Sequence, residues 1–310
     1  MNFKNIFIGL LIIINLVFLG YFIFLNSEGF SDFPDTFKKI KPKTQTLSNA
    51  PISYQTPQKI TFAGEQVPLD NPPVFERFDE ALARLAYRHA FTSTNLKKAA
   101  RWFPQIEPIL RKNNIPDDFK YIAVVESNLA NMISSKGAVG FWQFMPETGK
   151  EYGLEINDEI DERYDPIKST NAASKYFLDA YKKFKNWGLV AASYNMGMRG
   201  VSRRIEQQKV NSYFDLYLNP ETGAYVYYAL ATKYIFEHPE EFGYEFTQEQ
   251  GYPIIKCKTV DIQENIPDLA IFAKSKNISY FTLKSYNPWL RQNTLTQKDS
   301  NKIYQILIPE

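Results

Sequence analysis

From Pro73 to about Tyr252 the apolar residues of this chain recur every three or four positions, and strand-like alternation is almost absent. That period lays one apolar stripe along each of a series of helices, which can bury those stripes only against one another. In VFERFDEALARLAYRHAF the stripe is Phe75, Phe78, Leu82, Leu85 and Ala86. In WFPQIEPILRKNNIP the prolines Pro104, Pro108 and Pro116 bracket a short helix. Pro116 and the acidic pair Asp117-Asp118 open the next, through PDDFKYIAVVESNLA. DPIKSTNAASKYFLDAYKKFKNW follows, with Ser169 or Thr170 expected as its N-cap and Ala173, Phe177, Ala180 and Phe184 on its stripe. GLVAASYNMG and NPETGAYVYYALATKYIFEHP complete the set. The body is expected to be mainly α.

Ahead of it stands IFIGLLIIINLVFLGYFIFL, residues 6 to 25, without a charge and with Asn15 as its only strongly polar side chain. As a helix such a run is about 30 Å long, the thickness of a bilayer core. The residues after it are bulky and no lipobox cysteine follows, so residues 1 to 26 are expected to be an uncleaved anchor. Lys4 before the run and Glu28, Asp32 and Asp35 after it bias the N-terminus to the cytoplasm. A cleaved signal peptide, the alternative, leads to the same compartment. Residues 27 to 75 hold seven of the 18 prolines amid Ser, Thr, Gln and Lys, which suits a tether.

Composition narrows the chemistry. One cysteine, Cys257, excludes an intrachain disulfide framework and a cysteine zinc site, and two histidines, His89 and His238, exclude a three-histidine metal centre. The 36 Lys+Arg against 34 Asp+Glu give a net charge of +2, which offers no electrostatic footprint for nucleic acid. A carboxylate enzyme, or no enzyme, remains. From Tyr252 the texture changes: YPIIKCKTVDI alternates like a strand, two short helical patterns follow, and KIYQILIP closes as a second strand. Residues 251 to 310 are expected to form a small α/β unit, with Cys257 as a buried small apolar residue.

Phe119, Ile122, Glu126 and Leu129 share one helix face, so Glu126 points with an apolar stripe. An ionised carboxylate there is costly unless paired. Two readings stay open: a structural acid with a cationic or backbone partner, or an acid whose burial keeps it protonated near neutrality and able to donate to a glycosidic oxygen. The stretch NMISSKGAVGFWQFMPETGKEYGL sets Ser134 and Gln143 beside Trp142, Phe144 and Met145, a mixture that suits sugars. Glu147, Glu151, Asp158, Glu159, Asp161 and Glu162 are expected to be solvated surface charges. His89 and His238 are given no ligand role.

These motifs, in order, resemble the lytic transglycosylases of glycoside hydrolase family 23, and most of all their membrane-bound type D subgroup. Glu126-Ser127 and Ser134-Ser135-Lys136-Gly137-Ala138-Val139-Gly140-Phe141-Trp142-Gln143-Phe144-Met145-Pro146 match the catalytic signature. DERYDPIKST, AASYNMG and NPETGAYV match three downstream segments, so the likeness spans roughly residues 76 to 235. Phe141, Ser135 and Ser193 stand where the pattern has Leu, Pro and Ala. The resemblance implies a lysozyme-like helical domain over residues 76 to 250. It also implies that Glu126 is the general acid and then base, and that Ser134, Gln143, Met145, Tyr194, Asn195, Glu221 and Tyr225 line a glycan groove. Tyr194 or Tyr225 would hold the Glu126 carboxyl or a sugar acetamide. Ile266-Pro267-Asp268-Leu269-Ala270-Ile271-Phe272-Ala273 and Leu283-Lys284-Ser285-Tyr286-Asn287-Pro288 are similar to the cores of a LysM module, without its Gly-Asp-Thr-Leu turn. That module either binds glycan or only packs on the body.

The implied activity is cleavage of the β-1,4 bond between N-acetylmuramic acid and N-acetylglucosamine without water, leaving 1,6-anhydromuramyl ends. The implied partners are peptidoglycan strands and, through the N-terminal helix, a membrane, with the body in the periplasm of a bacterial envelope. No metal or organic cofactor is implied. A hydrolytic muramidase of the goose-lysozyme kind and a catalytically silent wall-binding scaffold are the alternatives.

Overall fold

A computed structural model describes residues 54–298 and 301–310. The anchor expected over residues 1 to 26 lies outside the described residues, as does most of the tether. Among the described residues no helix is long and apolar enough to cross a membrane.

The last part of the expected tether is folded. Thr61–Phe62 (β1) and Glu65–Gln66 (β2) pair antiparallel around a turn at Ala63 and Gly64, both at positive φ. Ile60, Phe62, Val67 and Leu69 are buried in the main core. Their short apolar alternation was obscured by the surrounding prolines. The hairpin is stapled by charge: the Glu65 carboxylate accepts from Trp187 N (2.7 Å) and Asn186 Nδ2 (2.8 Å). Lys233, nearly buried, donates to Thr61 O (3.0 Å) and pairs with Asp118 (2.7 Å).

The body is a helical bundle. Pro72–Ala86 (α1) and His89–Lys112 (α2) lead it. A single 3-10 turn over Asp117–Phe119 then feeds Lys120–Ser127 (α3). Pro146–Glu151 (α4), Pro166–Phe184 (α5), Trp187–Met196 (α6), Met198–Gln208 (α7) and Pro220–Glu237 (α8) follow. α8 is buried on most of its surface and packs against α1, α3 and α6. The sequence reading lacked α4 and α7, and it differs from the structure at two helix boundaries as well. Pro104 and Pro108 lie inside α2 rather than bracketing a separate helix. Four residues apart, both are exposed on one face, where water can solvate the carbonyls their missing N–H groups leave free. The cap of α5 is Asp165, accepting from Ile167 N (2.9 Å) and Lys168 N (3.0 Å) with Pro166 behind it; Ser169 and Thr170 are buried within the helix.

The C-terminal residues form the expected α/β unit. Cys257–Ile262 (β3) and Tyr304–Pro309 (β4) pair antiparallel, Cys257 opposite Pro309 and Ile262 opposite Tyr304. Between them lie Leu269–Ser275 (α9) and Tyr280–Tyr286 (α10), capped by Asp268 and Ser279. Tyr304, Ile306 and Ile308 alternate inward onto a second core with Leu269, Leu283, Trp289 and Leu295. Cys257 is half-buried rather than buried, because β3 gives only Ile262 fully to that core.

Candidate active site

Glu126 sits in the last turn of α3, one residue before the helix stops. Asn128 and Leu129 turn the chain sharply through the left-handed region, with φ of 56° and 49°. Ser127 anchors that turn by donating to Phe141 O (2.8 Å), tying the end of α3 to the loop that follows. The loop, residues 130 to 145, folds back through Ser134 N to Ala138 O (2.9 Å) and Val139 N to Phe144 O (3.0 Å). Gly140 is required there: its φ is +85°, and a Cβ would lie 1.9 Å from Arg163 O.

Glu126, Ser134, Gln143, Asn195, Glu221 and Tyr225 meet in a groove of about 910 Å³ between α1, the loop and the start of α8. Glu126 faces the groove on one side while protein packs on its others. Desolvation pushes its carboxyl up to about 7; the hydroxyl of Tyr225, donating to Oε1, pulls it down, and the negative charge of Glu221 pushes it up. No cation lies among the causes of that shift. The Tyr225 phenol is itself driven well above its ordinary range by burial and by Glu126, so it remains a donor.

The other groups fall into distinct places. Ser134 Oγ accepts from Ala138 N (2.9 Å), leaving its proton for the groove. Gln143, a non-glycine residue at φ 47°, donates Nε2 to Gly140 O (2.8 Å) and Met132 O (3.1 Å), which leaves its amide oxygen as an acceptor. Asn195 donates to Glu221 (3.1 Å) and accepts from Thr222 Oγ1 (2.6 Å), so it orients Glu221, which is exposed in the first turn of α8. Tyr194 donates to Trp142 O (2.7 Å) rather than to Glu126, so the choice left open between the two tyrosines falls to Tyr225. Met145 is exposed as the N-cap of α4 and does not line the groove. Trp142 and Phe144 face the core, Trp142 donating Nε1 to Thr170 Oγ1 (2.8 Å), and present no ring to the groove.

Sequence reasoning missed one wall. Arg77, Glu80 and Arg84 of α1, with Tyr217 and Tyr228, line the groove. The available signal was a polar stripe at three- and four-residue spacing beside the apolar one on α1. It also misjudged Asp161 and Glu162, which are buried and paired with Arg163 (2.7 Å) and Lys168 (2.5 Å). Glu147, Glu151 and Asp158 are exposed, while Glu159 is half-buried. A depression of about 750 Å³ beside Tyr54 and Phe75 has Glu241 as its acid, exposed and already bound by Tyr234 (2.8 Å). Among the described residues His238, Glu240 and Glu241 bring potential ligand atoms within 4.8 Å of one another, and none of them lines the groove.

Residues 104–216 match the family model of the transglycosylase SLT domain, and residues 258–310 match that of the soluble lytic transglycosylase C-terminal LysM-like domain. The membrane-bound lytic murein transglycosylases D of Escherichia coli K12 and of an O6:H1 strain are each 27% identical to this chain over 244 residues. That stretch is 76% of this chain and 52% of theirs, so the chain spans about half the length of these relatives. A solved structure of an inactive mutant of the lytic transglycosylase Slt from Pseudomonas aeruginosa aligns with a TM-score of 0.38 and 18% identity, over 49% of this chain and 26% of that one.

Proposed function

We propose, for a chain that carries a transglycosylase SLT domain and a C-terminal LysM-like domain, that it is a peptidoglycan lytic transglycosylase with Glu126 as its acid and base. One observation carries this reading. Glu126 faces a groove with its pKa near 7 and a neutral donor, Tyr225, on its carboxyl. A group so placed is protonated in part at neutral pH and can give a proton and take one back.

An ordinary glycosidase flanks the scissile bond with two carboxylates. The other acids lining the groove are Glu221, exposed and tied to Asn195, and Glu80, exposed and paired with Arg84 (2.6 Å), and both suit contact with the substrate better than attack on it. A one-acid mechanism fits. The Glu126 carboxyl protonates the bridging oxygen, the bond from that oxygen to C1 of the muramic acid breaks, and the sugar's 2-acetamido oxygen bonds to C1. The Glu126 carboxylate then removes the proton from the C6 hydroxyl. O6 bonds to C1 as the acetamido bond breaks, giving a 1,6-anhydro ring and restoring the acid. No water is consumed. Ser134, Gln143 and Glu221 offer the hydrogen-bonding groups for sugar hydroxyls and acetamides, and Arg77 and Arg84 edge the same groove.

The placement proposed is the bacterial envelope, with residues 6 to 25 as the membrane anchor, the residues before the hairpin as tether and the body in the periplasm. The uncharged run in the sequence supports this. Mass spectrometry of muropeptides released from purified sacculi tests the activity. Anhydromuramyl ends are expected, and reducing ends would assign a hydrolytic muramidase instead. Release of nothing by the wild-type protein would leave a wall-binding scaffold.

A further inference from the structure

We infer that the C-terminal module braces the groove loop at Ser134–Gln143, acting through Asp161 and Arg163, and so sets turnover as well as any grip on the wall. The kinetic part rests on the reading of the groove as glycan-cleaving; the mechanical part does not.

The second core is not closed by the C-terminal residues alone. Ile160, 1% exposed, belongs to it although it comes from the segment between α4 and α5. That segment joins the module by its backbone. Ile160 bridges to Leu290, Asp161 N donates to Trp289 O (2.9 Å), and Arg291 N donates to Glu159 O (2.7 Å). Side chains extend the join. The Glu159 carboxylate accepts from Thr294 Oγ1, Thr296 N (3.0 Å) and Thr296 Oγ1 (3.1 Å), which hold it below its ordinary range. The Arg291 guanidinium lies 3.9 Å over the Tyr164 ring.

The other side of the same segment holds the groove loop. The guanidinium of Arg163 forks onto Asp161 (2.9 and 2.7 Å) and donates to Gly137 O (3.2 Å), midway along the loop, and to Phe144 O (3.1 Å), near its end. Asp161 is therefore fixed by the module through its backbone and fixes Arg163 through its carboxylate. The loop it steadies contains Gln143 at φ 47°, a conformation that persists only where surroundings enforce it. A module meant to swing on a linker would make few contacts with the body. Here the linker is also laid down: Tyr252 N donates to Lys97 O (2.9 Å), and Arg101 Nε donates to Pro253 O (2.9 Å).

The test is hydrogen exchange and steady-state kinetics on the full chain carrying Glu159→Gln with Thr294→Val, two substitutions outside the groove. Amides of residues 134–144 are expected to exchange about tenfold faster or more, together with those of 289–296, while those of α8 stay within about twofold. The kcat for solubilised glycan strands is expected to fall about tenfold, with sacculus binding within about twofold of wild type. If 289–296 exchange faster and 134–144 do not, the brace is refuted. Loss of sacculus binding at unchanged kcat refutes it as well, and makes the module a wall-retention device. A merely destabilised protein loses activity in proportion to its unfolded fraction, so kcat is taken per folded molecule. Should α8 also exchange faster, Thr294→Val alone is read by the same criteria. If the wild-type protein releases no anhydromuramyl product, the reading of the groove fails while the exchange result still decides the brace.

Discussion

Two regions of this molecule bury carboxylates, and they bury them differently. Between α4 and α5, Asp161 is forked by Arg163, and Glu162 is paired with Lys168 (2.5 Å) and lies 3.9 Å from Lys302. In the groove, Glu126 holds a tyrosine hydroxyl, no cation of the described residues is among the causes of its shift, and the charge felt most is the like charge of Glu221. Burial alone therefore does not mark a chemical acid. A buried carboxylate paired with a cation holds structure, while one whose burial no cation offsets moves toward neutrality and can carry a proton. Asp165 stands between the two: burial pushes it up, but two backbone N–H groups claim it as a helix cap.

The sharpest way to break this contrast is at Glu126. Glu126→Gln keeps the shape and the hydrogen bond from Tyr225 but removes the proton that moves. Release of anhydromuramyl products is expected to fall by about a thousandfold or more, toward the limit of detection. Circular dichroism and sacculus binding should be unchanged. Retained turnover would overturn the assignment of Glu126.

The paired region is expected to fail in the opposite manner. Arg163→Met leaves the Asp161 carboxylate buried without its cation and releases the carbonyls of Gly137 and Phe144. Removing one partner of a buried pair costs roughly 3–5 kcal/mol. Urea unfolding at pH 7 should show that loss, and a cost below about 1 kcal/mol would mean that the pair is solvated.

How far the sequence foretold this contrast depended on what each feature was made of. Most helices of the body, though not α4 or α7, and the strand-helix-helix-strand order of the C-terminal unit were legible, because periodicity is a local property. The stripe of α3 likewise pointed Glu126 toward an apolar surrounding. The pairing of Asp161 and Glu162 was not legible: a run of charges looks solvated until a second core, from residues a hundred or more further on, closes over it. The hairpin at Thr61–Gln66 was hidden for a similar reason, since its partners Glu65–Trp187 and Lys233–Thr61 are distant in sequence. The choice between Tyr194 and Tyr225 needed the direction of two side chains, which spacing alone does not supply.

Those tyrosines sharpen the comparison further. The Tyr225 hydroxyl favours the ionised form of Glu126, so Tyr225→Phe should raise the Glu126 pKa above about 7. A catalytic acid must be protonated to act, so the alkaline limb of the pH–rate profile should move up, by about one unit for a lost bond to a charged group. kcat at the optimum should fall about tenfold, as the carboxyl loses its fixed orientation. Tyr194→Phe instead strips Trp142 O of its partner and should lower stability by about 1–3 kcal/mol with the limb in place. Exchanged outcomes would reverse the roles of the two residues.

Stability itself should follow pH through the same residue. Glu126 ionises near 7 when folded and near 4.5 when the chain is open. Above 4.5 the unfolded chain gives up this proton while the folded one keeps it, so from this group stability falls as pH rises from about 4.5 to 7 and levels off beyond. Subtracting the profile of Glu126→Gln isolates the effect from the other acids. A difference that is flat over that interval would mean the carboxyl is not desolvated in the fold.

The smallest effect probes the like charge. Glu221 raises the Glu126 pKa through space while its own carboxylate is held by Asn195 and exposed to water. Glu221→Gln removes that charge and keeps a group able to accept from Asn195 Nδ2, so geometry should change little. With the repulsion gone, Glu126 ionises more readily, and the alkaline limb should move down, the reverse of Tyr225→Phe. Across a water-filled groove the interaction is screened, and a shift of only about a few tenths of a unit is expected, shrinking further as salt is raised from 0.05 to about 0.5 M. A limb that moves up, or one indifferent to salt, would mean that Glu221 acts on Glu126 by contact or through the substrate rather than by its field.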